Sequence, residues 1–307
     1  MWNDSDQSGL NGGPIAFSDS AAVSPLTDGA IDVVVVSRLD ELLEEVRKSA
    51  ALLSDAEQGR ASRFVFNRDR CRFIVARAWL RRLLAARLRV RPESVELGYE
   101  EYGKPFLCAE PDLRFNVSHA DDVAVYAFAR GRKIGIDVER IRLVHDADAI
   151  AARFFSRAES EAYLALDPDD KPLGFFNCWT RKEAFVKALG EGLHCPLDSF
   201  DVSLAPDETA KILQVRNTPG DDCGWHVSSF HPVPGFVAAV VCENRKGSAN
   251  FALSSANSES LDNRTTYEPS PIRVRIMVDA VSGEGPGVDS DHDVVRDGMD
   301  SDGDGDA

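Results

Sequence analysis

What the chain lacks narrows it first. No apolar run comes near the roughly 20 residues needed to cross a bilayer, so no membrane span is expected. The opening stretch, MWNDSDQSGLNGG, has neither a basic segment nor an apolar one, so no secretory signal is expected. Cysteine is sparse. The six cysteines, at 71, 108, 178, 195, 223 and 242, show no CxxC pair and no regular spacing. That argues against a disulfide framework or a cysteine zinc site and for reduced thiols in a cytoplasmic protein. Positive charge is also short. The chain has 35 Lys and Arg against 51 Asp and Glu, a net −16, which disfavours general affinity for nucleic acid.

What is present is unevenly spread. Residues 60 to 91 hold 11 arginines and one aspartate, and such a dense cationic segment in an acidic chain suggests a local anion site. From Glu243 onward 14 acidic residues face 6 basic ones. Residues 1–29 and 243–307 are rich in Gly, Ser, Asp and Asn. Both are predicted to be disordered, because they bury too little apolar surface to offset the entropy of ordering.

The folded part is then 30–242, read as an N-terminal lobe over 30–130 and a C-terminal lobe over 131–242. IDVVVVS, 31 to 37, reads as a strand. An amphipathic helix is predicted over 68–88, with Phe73, Ala76, Leu80, Leu83 and Leu84 on one face and arginines around the rest. Short strands follow at 95–99, 113–117 and 123–128. The second half repeats the order: a strand at 133–138, helices at 147–165 and 173–189, then strands at 199–204, 211–215, 225–230 and 236–241. Helices and mainly antiparallel strands are segregated, an α+β pattern in two halves.

Three stretches carry the chemistry. In GIDVE, 135 to 139, strand alternation puts Asp137 and Glu139 on one face with carboxylates roughly 6–7 Å apart. Two such anions repel unless a cation sits between them, and hard oxygen ligands suit Mg²⁺; a solvated acidic edge is the plainer reading. In WTRKEAFVKALGEGL, 179 to 193, a helix ends at Gly190 and Gly192 and sets Glu183 and Lys187 on one face at i and i+4. Alone, that pair is a surface ion pair, and Trp179 and Phe185 are core. In FNVSHA, 115 to 120, Ser118 and His119 end a strand, where they are either structural or able to hold a phosphate.

Together, in this order and spacing, FNVSH, GIDVE and WTRKEAFVKALGEGL closely resemble the 4′-phosphopantetheinyl transferases, and the two-lobed Sfp-type group in particular. EYGKPF (101 to 106), ARFFSRAE (152 to 159) and PLDSF (196 to 200) add to the resemblance, which covers about 30–242. It implies an α+β fold of two similar lobes with approximate twofold symmetry, coenzyme A in the cleft between them, and a monomer. The implied activity is holo-[acyl-carrier-protein] synthase chemistry. The 4′-phosphopantetheine arm of coenzyme A passes to a serine of an apo acyl or peptidyl carrier protein, and adenosine 3′,5′-bisphosphate leaves. Asp137, Glu139 and Glu183 are implied ligands of Mg²⁺, or of Mn²⁺ in its place. Glu183 is the implied base and Lys187 the group that neutralises or protonates the departing phosphate. Arg60, Arg63, Arg72, Lys104, Ser118, His119, Asp137, Lys182 and Lys187 are the implied contacts to coenzyme A.

Three departures bear on this. Glu57 stands where a further basic residue is common, which would loosen the phosphate grip. Val138, between the two acids, offers no ligand where some relatives have one. The long tails lie outside the family pattern. Arg70, Arg77, Arg81 and Arg82 are read as either a solvated helix face or a surface that steers acidic carrier proteins. Two other readings stay open: a catalytically silent coenzyme A-binding relative, and a different Mg²⁺-dependent phosphodiesterase.

Overall fold

The computed structural model describes residues 26, 29–41, 46–216, 224–244 and 272–277, the last by backbone alone. The expected disorder of 1–29 therefore falls almost wholly outside the described residues, as does most of that of 243–307. Cys71, Cys108, Cys178, Cys195 and Cys242 are free, and Cys223 lies outside the described residues.

The N-terminal lobe opens with β1 (Ile31–Val36), then α1 (Val46–Ala50), α2 (Asp55–Ala61) and the long α3 (Asn67–Leu88). A small hairpin, β2 (Leu97–Tyr99) and β3 (Pro105–Leu107), leads to the pair β4 (Leu113–Ala120) and β5 (Val123–Arg130). The C-terminal lobe repeats the order. It runs β6 (Ile134–Arg140), α4 (Ala147–Phe154), α5 (Arg157–Leu164), α6 (Lys171–Leu189), then β7 (Phe200–Val202) and β8 (Ile212–Val215), then β9 (Trp225–Phe230) and β10 (Phe236–Glu243). Strand pairing repeats as well. β1 joins β5 and β5 joins β4, just as β6 joins β10 and β10 joins β9, all antiparallel.

The layers follow from strand alternation. Val34, Val36 and Phe128 face α3, while Ile31, Val33, Val35 and Val125 meet Ile134, Ile136, Val138 and Val240 of the other sheet. On the far side of that second sheet α6 packs against Val237, Ala239 and Val241. The result is helix, sheet, sheet, helix, with the lobes joined by an apolar layer.

Both lobes use one internal clamp. Ser54 and Ser156 cap α2 and α5 in capping boxes, and the glutamates that complete them, Glu57 and Glu159, are buried. Glu57 pairs with Arg81 of α3 at 2.6 Å, and Glu159 pairs with Lys182 of α6 at 2.7 Å. Each cation also donates to two carbonyls just past its helix: Arg81 to those of Pro92 and Val95, Lys182 to those of Leu197 and Phe200. Each long helix then ends in a left-handed residue, Arg89 and Gly190. Arg81 matches Lys182 and Arg89 matches Gly190 at the same spacing, which aligns the two helices residue by residue.

Three expectations need correction, and one strand was not anticipated. The single helix over 147–165 is two, broken at Phe155 where Ser156 begins a new capping box. Pro105–Leu107 is a strand. α3 is not an amphipathic surface helix. The β1–β5 sheet covers one side and α1 and α2 cover another, so Arg72, Arg77 and Arg81 are buried with the leucines. Lastly, Ile272–Met277, inside the stretch expected to be disordered, is β11 and pairs in parallel with β1, from Ile31↔Ile272 to Val36↔Met277. The six-residue segment IRVRIM has a β-branched residue at every second position, Ile272, Val274 and Ile276, and the polar composition around it hides that in an average.

Candidate active site

β4 and β6 are edge strands of different sheets, and side chains stitch them together. Asn116 accepts from the Ile136 amide at 2.9 Å. Ser118 donates to Asp137 Oδ1 at 2.8 Å. Asn116 sits in the FNVSH stretch but was not singled out from sequence; a buried amide flanked by strand hydrophobics was the available sign.

Gly135 brings α6 to this seam. A Cβ there would lie 2.0 Å from the Ala184 carbonyl oxygen and 2.4 Å from the Ala188 amide nitrogen. Only glycine lets helix backbone approach strand backbone so closely. Glu183 and Lys187 neighbour those two alanines and are thereby carried to Asp137. Lys187 Nζ donates to Asp137 Oδ1 at 2.6 Å and to Ser118 Oγ at 3.0 Å. Strand β4 of one lobe and β6 and α6 of the other thus meet on one carboxylate.

The second oxygen of that carboxylate, Asp137 Oδ2, is buried and has no hydrogen-bond partner among the described residues. Burial, then the Asp137 charge, raise the pKa of Glu139 to about 7, with Glu183 adding to the rise and Arg142 and Lys187 opposing it. Burial and Asp137 also raise that of Glu183, and Lys187 opposes. Among the described residues no three such groups already stand at metal-binding separations. The donor set nevertheless fits a hard divalent cation: two carboxylates, Glu139 and Glu183, whose pKa burial and the Asp137 charge raise, and on Asp137 one buried oxygen left unpaired among the described residues. Val138 is buried between the two sheets, so it faces away from the acids and could not supply a ligand.

His119 follows Ser118 on the opposite face of β4 and is accessible to solvent. Desolvation in its recess, then the charges of Lys187, Arg60, Arg72 and Arg77, hold its pKa below the usual value. With Lys187, Arg60 and Arg72 near it, this imidazole can hold a phosphate. Arg60 and Arg63 are exposed, make no ion pair among the described residues, and line an open cavity of about 530 Å³.

The other expected residues are otherwise engaged. Lys182 is fully buried on the Glu159 clamp, so its ammonium does not reach the carboxylates. Lys104 donates to the carbonyls of Ile134, Lys187 and Ala188, which ties the β2–β3 turn to α6; burial pulls its pKa to about 8. Arg72 holds Asp40 through two hydrogen bonds, at 2.7 and 2.6 Å, and keeps only part of its guanidinium for a ligand. Glu57 is no weak corner of a phosphate grip, since it is buried against Arg81 and 3.6 Å from Arg77. That pairing also removes Arg77 and Arg81 from any steering surface. Trp179 and Phe185 are in the aromatic core as expected, Trp179 stacked on Phe175 with ring centroids 6.1 Å apart.

Comparison with known proteins gives the same direction. The family model described as 4′-phosphopantetheinyl transferase superfamily matches residues 133–241, and that described as 4′-phosphopantetheinyl transferase, N-terminal, matches 41–130. The chain is 38% identical over 205 residues to 4′-phosphopantetheinyl transferase HetI of Nostoc sp. (strain PCC 7120 / SAG 25.82 / UTEX 2576), covering 66% of this chain and 83% of that protein. It is 30% identical over 197 residues to 4′-phosphopantetheinyl transferase Sfp of Bacillus subtilis (strain 168), covering 64% and 85%. A 4′-phosphopantetheinyl transferase of Bacillus subtilis is 36% identical over 169 residues, 55% of this chain and 74% of its own.

Proposed function

The chain belongs to the 4′-phosphopantetheinyl transferase superfamily, and from that premise we propose that it moves the phosphopantetheine arm of coenzyme A onto a serine of an apo acyl or peptidyl carrier protein. The observation that carries the reading is the seam between the lobes. Asp137, the two carboxylates whose pKa it raises, Glu139 and Glu183, and Lys187 lie beside a recess with one histidine and several cations.

Asp137, Glu139 and Glu183 are the residues that would hold Mg²⁺, with Mn²⁺ as a substitute. The bound cation would neutralise pyrophosphate oxygens and stabilise charge on the leaving side. The protein groups account for the rest. Arg60, Arg63 and His119 grip the nucleotide end of coenzyme A. Glu183 accepts the serine proton directly or through a water. The serine oxygen then forms a bond to the phosphorus that bears the pantetheine arm. The pyrophosphate bond to adenosine 3′,5′-bisphosphate breaks, and the Lys187 ammonium stands ready to neutralise or protonate the leaving oxygen. Asp137 and Ser118 orient that ammonium.

The test is the intact mass of an apo carrier protein after incubation with the full chain, coenzyme A and Mg²⁺. The expected result is a gain of one phosphopantetheine that EDTA prevents. No gain on acyl and peptidyl carriers alike, with coenzyme A bound, would favour a silent relative instead.

A further inference from the structure

Arg181 sits two residues before Glu183, about 200° around α6, and has no part in the carboxylate site. It is 2% exposed, yet it makes no ion pair among the described residues. Its Nε donates to Ser229 Oγ at 2.9 Å, and its Nη1 donates to the Ser203 carbonyl at 2.6 Å and Ser203 Oγ at 3.1 Å. Nη2 has no hydrogen-bond partner among the described residues and is not among the buried atoms sealed from solvent. The residue lines a cavity of about 440 Å³ between α6, β9 and the 206–210 loop.

The fold does not require a cation here. The residue-by-residue match of the two long helices puts Leu80 of α3 at the equivalent position, 1% exposed in the core of the other lobe. Burial pulls the Arg181 pKa down to about 10, against a smaller upward pull from Cys178 and Glu208. A buried cation whose nearby carboxylate, Glu208, lies exposed to water is only weakly compensated, and it stays costly unless something in the cavity offsets it.

The walls define what that is. Leu173, Phe230 and Val237 line the cavity and give it an apolar side. His226, hydrogen-bonded to Ser228 at 2.9 Å, is held by burial at a pKa of about 4 and is neutral near pH 7. It therefore adds no second cation. Glu208 also lines the cavity and is exposed, so it opposes a multiply charged anion. We propose that this cavity binds a small organic monocarboxylate with a short apolar body, its carboxylate on Arg181 Nη2 and its body against Leu173 and Phe230. The site is separate from the transferase reading and stands or falls without it.

Saturation-transfer NMR on the full chain, with hexanoate and 1-hexanol as probes, tests this with and without coenzyme A. Hexanoate is expected to bind at about millimolar concentration, and hexanol at least about 10-fold more weakly. Coenzyme A should displace neither. Arg181→Met should weaken hexanoate by about 10-fold or more. Thr209→Trp fills the mouth of the cavity from an exposed position and leaves the Arg181 hydrogen bonds intact; it should weaken hexanoate as much, and it decides the matter if Arg181→Met fails to fold. The proposal is overturned by no hexanoate binding at about 10 mM, by equal binding of hexanol, by displacement with coenzyme A, or by unchanged binding in the folded variants.

Discussion

The close approach of α6 to Gly135 supplies the sharpest test. In Gly135→Ala the new Cβ would lie 2.0 Å from the Ala184 carbonyl oxygen and 2.4 Å from the Ala188 nitrogen. Both are backbone atoms of α6, so no side chain can turn aside. Ordinary contact needs about 3.5 Å, and the helix must retreat from β6 by more than about 1 Å. Overpacking of this kind costs about 1–3 kcal/mol. The larger effect is on chemistry, because Glu183 and Lys187 move with the helix while Asp137 stays on the strand. The 2.6 Å contact between Lys187 and Asp137 would open. A displacement of about 1 Å costs on the order of 10²-fold in turnover. Gly131→Ala is the control. Gly131 has φ of +62°, and no atom lies within 4 Å of an added Cβ, so the variant pays only backbone strain, about 1 kcal/mol. Thermal unfolding and single-turnover phosphopantetheine transfer should show two moderately destabilised variants, of which only Gly135→Ala loses transfer. If Gly135→Ala transfers at the wild-type rate, or Gly131→Ala loses as much, helix–strand approach is not what assembles the site.

Three further outcomes follow from the same contacts. Lys182→Met strands Glu159 as a buried charge and should cost about 3–5 kcal/mol in urea unfolding, with only part of it recovered when Glu159→Leu is added, because the Ser156 and Val202 amides then lose their acceptor; a loss of coenzyme A affinity at unchanged stability would return Lys182 to the site. Asp137→Asn should lower turnover on the order of 10²-fold or more while stability changes by no more than about 2 kcal/mol, because Lys187, with its side chain 29% exposed, stays partly solvated; an unfolded variant would make Asp137 a structural residue. In EDTA, Glu139 has a folded pKa of about 7, above its value in the unfolded chain, so its stabilising effect is complete below about pH 4.5 and is lost as pH rises through about 7; urea midpoints across that window should fall in the wild type and lose that slope in Glu139→Gln, and superimposable curves would refute the shift.

What could be read from sequence was whatever depends on spacing along the chain. The two acids of GIDVE share a face because a strand alternates, and the stop of α6 at Gly190 needs only a residue that accepts φ of +82°. The break between α4 and α5 was equally local: Ser156 and Glu159 spell a capping box, and reading it would have split the helix. What escaped depends on contacts far apart in sequence. Lys182 looks like a phosphate ligand beside Glu183 until Glu159, 23 residues upstream, takes its ammonium. Lys104 is taken by carbonyls more than 80 residues on as well as by Ile134. Arg77 and Arg81 read as solvated because the cover that α1 and α2 provide over α3 has no periodic signature in α3 itself.

The alignment of the lobes also explains why a doubled fold carries one carboxylate site. Asp32 of β1 reaches Arg87 of α3, and Gly135 of β6 lies under Ala188 of α6, the matching helix position. Two and four residues on, Asp137 and Glu139 therefore correspond to Val34 and Val36, which are core under α3. Glu183 and Lys187 correspond to Arg82 and Ala86. In the N-terminal lobe the strand–helix contact is an ion pair followed by valines; such a face can only pack. In the C-terminal lobe glycine and alanine draw the helix closer, and acids occupy the freed positions at the edge where β4 of the other lobe arrives with Ser118. The fold supplies the frame twice, through the Glu57–Arg81 and Glu159–Lys182 clamps. The chemistry proposed above draws on one lobe's acids and the other lobe's serine, histidine and arginines, and of the two matching edges one holds both among the described residues.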